Sequence, residues 1–320
     1  MKHPNGPQAP RAPRTALDPR PSRHAAPWRL LRTLTLLLVA VALSASAVAQ
    51  VVVTDALGRE VALERPAQRI VAMIPTHTEK VCALGACDRL VGRDTFSDHP
   101  ARVLDLPDLG SAFSPDLERL LALDPDLILT DAYSGLVEAL EGVDVAVYAG
   151  TPETVAGIGE VLHDLGVLLG TETEAAVLRG RIEGAVGALA DAAAERDPAP
   201  RVFLELDPTP YTAGPASYLG ELLTLAGGAN VVPAGIGDFP ALDPEQVIEA
   251  DPQVIVLFDA PYGESADTVA ARPGWGQIIA VRDGKVVELS DDQADLLSRA
   301  GPRLPDALRL LIDLLDEADR

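Results

Sequence analysis

The chain has 320 residues, length for about two domains, with 26 Lys+Arg against 48 Asp+Glu and a formal net charge of −22. Its 48% apolar content excludes wholesale disorder, and the acidic balance excludes a nucleic-acid binder, which needs a basic face for phosphates. Two cysteines exclude a disulfide scaffold and any four-cysteine zinc or iron–sulfur site.

The charge is uneven. Residues 1–49 carry Lys2, Arg11, Arg14, Arg20, Arg23, Arg29 and Arg32 but one acid, Asp18, which leaves 19 basic and 47 acidic residues and a net charge of −28 beyond them. Arg29 and Arg32 precede an apolar core, Leu34 to Leu43, too short to anchor comfortably across a membrane, and Ala47-Val48-Ala49 follows with a small-x-small pattern. That order predicts a signal peptide over 1–49, cut after Ala49, and an exported, periplasmic protein. No lipobox cysteine stands at the cut, so lipid anchoring is not expected. Cys82 and Cys87 would then meet an oxidising compartment, but burial as two small hydrophobes is the favoured reading.

Val51–Val53 and Val61–Leu63 flank a turn and predict a hairpin. Ile70–Ile74 is a continuous apolar run, a strand buried on both faces. Thr78 is a fit N-cap for a helix through Ala83. Leu90–Gly92, Leu127–Leu129 and Val143–Val147 read as further strands, with a helix over Leu117–Leu123. Residues 171–196 are rich in helix formers and predict one long helix, stopped by Asp197-Pro198-Ala199-Pro200. Strand and helix then alternate again through Val202–Leu206, Leu219–Leu225, Val254–Leu257, Lys285–Leu289 and a final helix over Leu304–Asp319. The fold class is therefore α/β: two Rossmann-like lobes, 50–170 and 197–320, with mainly parallel sheets, joined by the single long helix 171–196.

A weak repeat relates the halves. DLERLLALDPDLIL (116–129) and DPEQVIEADPQVIVL (243–257) each place a Glu, Glu118 or Glu245, seven residues before the Pro of an Asp-Pro turn that leads into a buried strand.

Beyond residue 49 only His77, His99 and His163 are histidines, and HExxH, GxSxG and GxxxxGK[ST] are missing. Gly157-Ile158-Gly159 falls on a helical stretch and carries no dinucleotide site. No catalytic constellation emerges, so the chain is read as a binder and not an enzyme. Polar and aromatic residues instead gather at the carboxyl ends of strands, where open α/β sheets bind ligands. The ligand-binding candidates are His77, Thr78, His99, Phe113, Tyr133, Tyr211, Tyr218, Phe239, Tyr262 and Arg299. In so aromatic-poor a chain, rings placed in loops point to a cleft lining.

RIVAMIPTHTEKVCALGACDRLVGRDTFSDHP, GSAFSPDLERLLALDPDLILT, LLTLAGGANVV, FPALDPEQVIEADPQVIVL and LSRAGPRLPDAL, in this order, resemble the substrate-binding proteins of iron-chelate and cobalamin ABC importers. The resemblance covers nearly all of 51–320. It implies two lobes on one rigid helix, a small-molecule metal chelate held between them, and no separate cofactor. It implies one exposed permease-docking glutamate per lobe, at Glu118 and Glu245, and is read here with a monomer. His77 corresponds to a cleft-facing position, and His77 or His99 could serve as an axial ligand to a chelated metal. His99 stands where cobalamin-binding members commonly have an aromatic, and Phe239 where they commonly have a tryptophan; Ala112 and Asp131 also replace aromatics. Cobalamin or another corrinoid ranks first, haem or a ferric siderophore next. An anionic siderophore would want Arg299 or Arg93 in the cleft. The alternatives are an exported α/β enzyme using the same cleft and an envelope sensor that keeps the fold without transport.

Overall fold

The computed structural model describes residues 50–318 and 320. The expected signal peptide, 1–49, lies outside the described residues. Among these, no helix is long and apolar enough to cross a membrane.

The described chain opens with an antiparallel hairpin, β1 (Val51–Thr54) with β2 (Glu60–Leu63), in the register Val51↔Leu63. Its turn is fixed by Asp55, whose carboxylate accepts from the Leu57 and Arg59 amides at 3.0 and 2.9 Å. Next come β3 (Ile70–Ala72), α1 (Pro75–Ala83) and β4 (Leu90–Arg93). Thr78, expected to cap this helix, instead lies inside it. Pro75 at the first helical position has its φ preset and no amide to satisfy, so the helix starts right after the strand. Cys82 and Cys87 are joined in a disulfide across the end of α1, a correction to their expected state as free buried thiols.

A small ribbon, β5 (Gly110–Ser111) with β6 (Ser114–Pro115), leads to α2 (Leu117–Ala122), β7 (Leu127–Thr130), α3 (Leu136–Ala139) and β8 (Ala146–Ala149). The first sheet is wholly parallel, in the order β4-β3-β7-β8. Two helices follow, α4 (Val155–Leu169) and α5 (Glu172–Ala193). Thr154 caps α4 by accepting from the Gly157 amide, and Gly170, at φ 65°, turns the chain into α5. The 22 residues of α5 span about 33 Å at 1.5 Å per residue.

The second sheet is built from β9 (Arg201–Asp207), β10 (Tyr211–Thr212), β11 (Ala229–Asn230), β12 (Val254–Leu257) and β13 (Val286–Glu288), in the order β10-β9-β12-β13 with β11 beside β9. Only β10 runs antiparallel. Its helices are α6 (Tyr218–Leu225), α7 (Pro244–Ala250), α8 (Ala266–Ala271), α9 (Ile279–Arg282), α10 (Asp291–Ser298) and α11 (Leu304–Ala318).

Both sheets are buried on two faces, as their unbroken apolar strands require. Ile70, Ala72, Leu127, Leu129, Val202, Leu204, Val254 and Val256 join one continuous core with α4, α5, α6 and α11. Val71, Ile128 and Leu120 form a second core on the far face of the first sheet. Phe203, Ile255, Leu257 and Trp275 form a third on the far face of the second.

Candidate functional site

The exposed rings sit on loops and short elements of both halves. Asp131, at the end of β7, accepts from the Tyr133 and Ser134 amides at 2.8 and 2.6 Å, so it shapes the turn that presents Tyr133. Tyr133 and Phe113 are both exposed, with ring centroids 6.2 Å apart. In the other half Tyr211 and Phe239 stack at 6.4 Å with 25° between planes. Tyr262 is 89% exposed and lines a cavity of ≈ 250 Å³ with Phe258, Asp295 and Ser298.

Arg299 connects the halves. Its guanidinium donates to the Asp98 carboxylate at 2.6 Å and the Phe96 carbonyl at 3.1 Å, both on the loop after β4, and also pairs with Asp295 and Glu79. Burial would raise the Asp98 carboxyl, but the Arg299 hydrogen bond and charge bring it below its ordinary range. Arg299 is thus a buried strut whose donors already serve carboxylates, not the free cation expected for an anionic ligand. Arg93 is also buried, donating to the carbonyls of Asp94 and Thr95 at 2.8 and 3.3 Å.

Three more of the ligand-binding candidates lie in the interior, besides Arg299. His77 is 0% exposed, with Nε2 donating to the Thr130 carbonyl at 3.0 Å and the ring 5.9 Å from that of Tyr148. Burial, with Lys80 nearby, pushes its pKa down to about 3, so the ring is neutral. The helix start at Pro75 carries His77 into the interior, where its side chain is fully buried. Thr78 is buried against the Ser97 hydroxyl at 2.7 Å, and Ser97 donates to Asp94, which also holds the Phe96 amide. Thr78 therefore braces the loop that carries Phe96. Tyr218 opens α6 with its hydroxyl buried and unpartnered, and burial raises its pKa.

His99 is exposed, in a separate cavity of ≈ 350 Å³ with Glu79, Cys82 and Arg303. From the same stretch, Phe96, 62% exposed, and Asp98 are the residues tied to the second half. Phe96 is an aromatic just past β4, and the Arg299 contact at its carbonyl singles it out.

Glu118 and Glu245 are both exposed and take the second helical position, N2, of α2 and α7. The match extends to the backbone: Asp116 and Asp243 are the N-caps, and Asp124 (φ 49°) and Asp251 (φ 44°) turn left-handed before the prolines. An arginine clamps each helix end. Arg69 donates to the carbonyls of Leu123 and Asp124, and Arg201 to those of Ala250 and Asp251. Each clamp precedes or opens a central strand, so the exposed glutamates are held in equivalent settings.

Residues 70–293 match the family model described as "Periplasmic binding protein". An uncharacterized ABC transporter substrate-binding lipoprotein of Bacillus subtilis, YvrC, is 27% identical over 273 residues, covering 82% of this chain and 84% of that protein. The vitamin B12-binding protein of Vibrio campbellii is 28% identical over 236 residues, covering 71% of this chain and 82% of that one. Among solved structures, the periplasmic heme-binding protein RhuT of Roseiflexus sp. RS-1 in apo form superposes with a TM-score of 0.69 at 26% identity, over 79% of this chain and 99% of that one. With the family model spanning most of the described residues, from β3 into α10, the chain belongs to the periplasmic binding protein family.

Proposed function

We propose that this chain is the extracytoplasmic substrate-binding protein of an ABC importer, which captures a metal chelate between its two halves and delivers it to a membrane permease. The observation that carries the reading is the pair of exposed aromatic couples, Phe113–Tyr133 and Tyr211–Phe239, one in each half of a family member. Flat ring faces of this kind suit a macrocycle, which gains buried apolar area and stacking without needing a charged partner. A cobalamin-type corrinoid ranks first and haem second, in keeping with the names of the relatives. A ferric siderophore ranks third, because Arg299 and Arg93 are spent on internal partners. His99 is the remaining histidine near the loops that could approach a chelated metal.

The binder works as an exported monomer without turnover, its metal arriving with the cargo, and Glu118 and Glu245 meet the permease. Titration with cyanocobalamin, haemin and a ferric hydroxamate, followed by the visible bands and the melting temperature, tests the ligand class. A ligand at about 100 times its Kd adds roughly 2.7 kcal/mol of stability. No response to any of the three overturns the reading.

A further inference from the structure

Asp259 follows β12 with both carboxyl oxygens buried and unpartnered, and with 4% of its surface exposed. Leu257 pairs with Glu205 in the sheet register and the Phe258 amide donates to the Glu205 carbonyl at 2.8 Å, so Asp259, the next residue, leaves the strand end beside Glu205. Glu205 is fully buried and accepts two hydrogen bonds from Arg272, both at 2.6 Å. The same guanidinium reaches Glu264 at 2.7 Å and lies 4.6 Å over the Trp275 ring. The charged groups gathered here are Glu205 and Asp207 from β9, Glu288 from β13, Glu264 before α8 and Arg272 beyond it. Among the described residues the cation paired with this group is Arg272, already committed to Glu205 and Glu264. A buried carboxylate without a donor is costly, and two carboxyls side by side relieve the cost by retaining a proton.

We propose that Glu205 and Asp259 hold one proton between them, and that its loss loosens the Asp259–Glu264 turn and so makes the placement of Tyr262 depend on pH. The turn is short and closed at its ends: the Tyr262 amide donates to the Asp259 carbonyl at 2.9 Å and the Gly263 amide to that of Ala260 at 3.0 Å. An ionised Asp259 meets Glu205 on one side and Glu264 at the far end of the turn, and repulsion opens it. Burial first, then the Glu205 charge, push the Asp259 carboxyl up to about 7. Burial also raises Glu205, against the pull of Arg272. Because the folded state favours the protonated acid, this contribution to stability is full below about pH 4 and lost as pH rises through about 7. The use of Tyr262 in ligand capture rests on the reading given above; the shared proton does not.

The test uses the ligand-free full chain. In a carboxyl-carbon NMR titration, with Asp259 assigned from Asp259→Asn, the Asp259 midpoint should lie at least two pH units above an ordinary aspartate, near 4. A midpoint near 4 overturns the shared proton. With 3-fluorotyrosine incorporated and Tyr262 assigned from Tyr262→Phe, its resonance should shift with the same midpoint and stay fixed in Asp259→Asn. A Tyr262 signal that ignores the titration overturns the coupling. Glu205→Gln should lower the Asp259 midpoint. If that variant does not fold, the melting temperatures of wild type and Asp259→Asn decide: wild type should fall relative to Asp259→Asn from pH 4 to 7, because Asn keeps the neutral form, and an unchanged difference overturns the proposal. A chain that passes these tests yet binds none of the three chelates keeps the proton pair and loses the transport reading.

Discussion

Glu79 and Arg303 are joined side by side across the two halves, Nε to Oε2 at 2.9 Å and Nη2 to Oε1 at 2.6 Å, though 224 residues separate them. Arg299 adds a third contact to the same carboxylate at 3.3 Å, and next to it the Lys80 ammonium reaches the Ala300 carbonyl at 2.7 Å. Glu79 is buried, so removing it takes the carboxylate from the partly buried Arg303 and one of three carboxylates from Arg299. Glu79→Ala should cost about 3 kcal/mol in urea unfolding, since breaking one partner of a buried ion pair costs roughly 3–5 kcal/mol. A loss within error of an ordinary surface change would show that the seam does not fasten the halves.

His77 gives the protein a dependence on acid. Its folded pKa is depressed to about 3 against an ordinary 6.5, so its contribution is whole above pH 6.5 and declines as pH falls toward 3. Lys80, pushed down to about 7 by burial, acts in the same direction at higher pH. Calorimetry of wild type and His77→Gln should therefore show a melting-temperature gap that narrows between pH 7 and 4. A gap that stays constant would mean that the ring is not held neutral.

The exposed and buried tyrosines should separate cleanly. Tyr133→Ala and Phe113→Ala should each weaken chelate binding about tenfold, roughly 1.4 kcal/mol, with little change in melting temperature. Tyr218→Phe should leave affinity unchanged and be neutral or slightly stabilising, because it removes a buried hydroxyl that has no partner. Isothermal titration and thermal melts read both quantities; an affinity loss in Tyr218→Phe would return that residue to the cleft.

Charge reversal at Glu118 and Glu245 together should abolish capture by the permease in a pull-down with reconstituted transporter, while ligand affinity and melting temperature hold. Exposed helix-start acids carry little fold stability, about 0.3–1 kcal/mol each. Loss of ligand binding in this variant would contradict the docking role.

Reduction of Cys82–Cys87 should lower stability by about 2 kcal/mol, as the chain-entropy relation gives for so short a loop. Urea unfolding with and without reductant measures it.

The continuous apolar runs at 70–74, 127–129 and 254–257 announced the central strands because burial on both faces leaves no polar alternation to misread. Residues 171–196 announced their helix through composition, and the structure forms it as Glu172–Ala193. The candidate site was less legible. His77 and Thr78 follow a strand just as Tyr133 does, and nothing local says which turn faces inward. That depends on Pro75 starting a helix at once after β3, while Asp131 bends the chain outward after β7. The disulfide was hidden for a related reason: it needs the end of α1 and the following turn to bring two side chains together, a fact of geometry and not of spacing. The Glu205–Arg272 pair joins residues 67 positions apart and left no sequence pattern.

Under the proposed docking role, the matched arginine clamps would make the two glutamates a bivalent grip. Each site alone is a solvent-exposed charge with modest affinity, yet a partner holding both gains avidity through effective concentration, without new contacts. Under that role the partner would present two equivalent basic sites, as a two-fold homodimer does. Losing one glutamate then converts a two-point attachment into a loose tether, so the single substitution should cost far more than half of the binding.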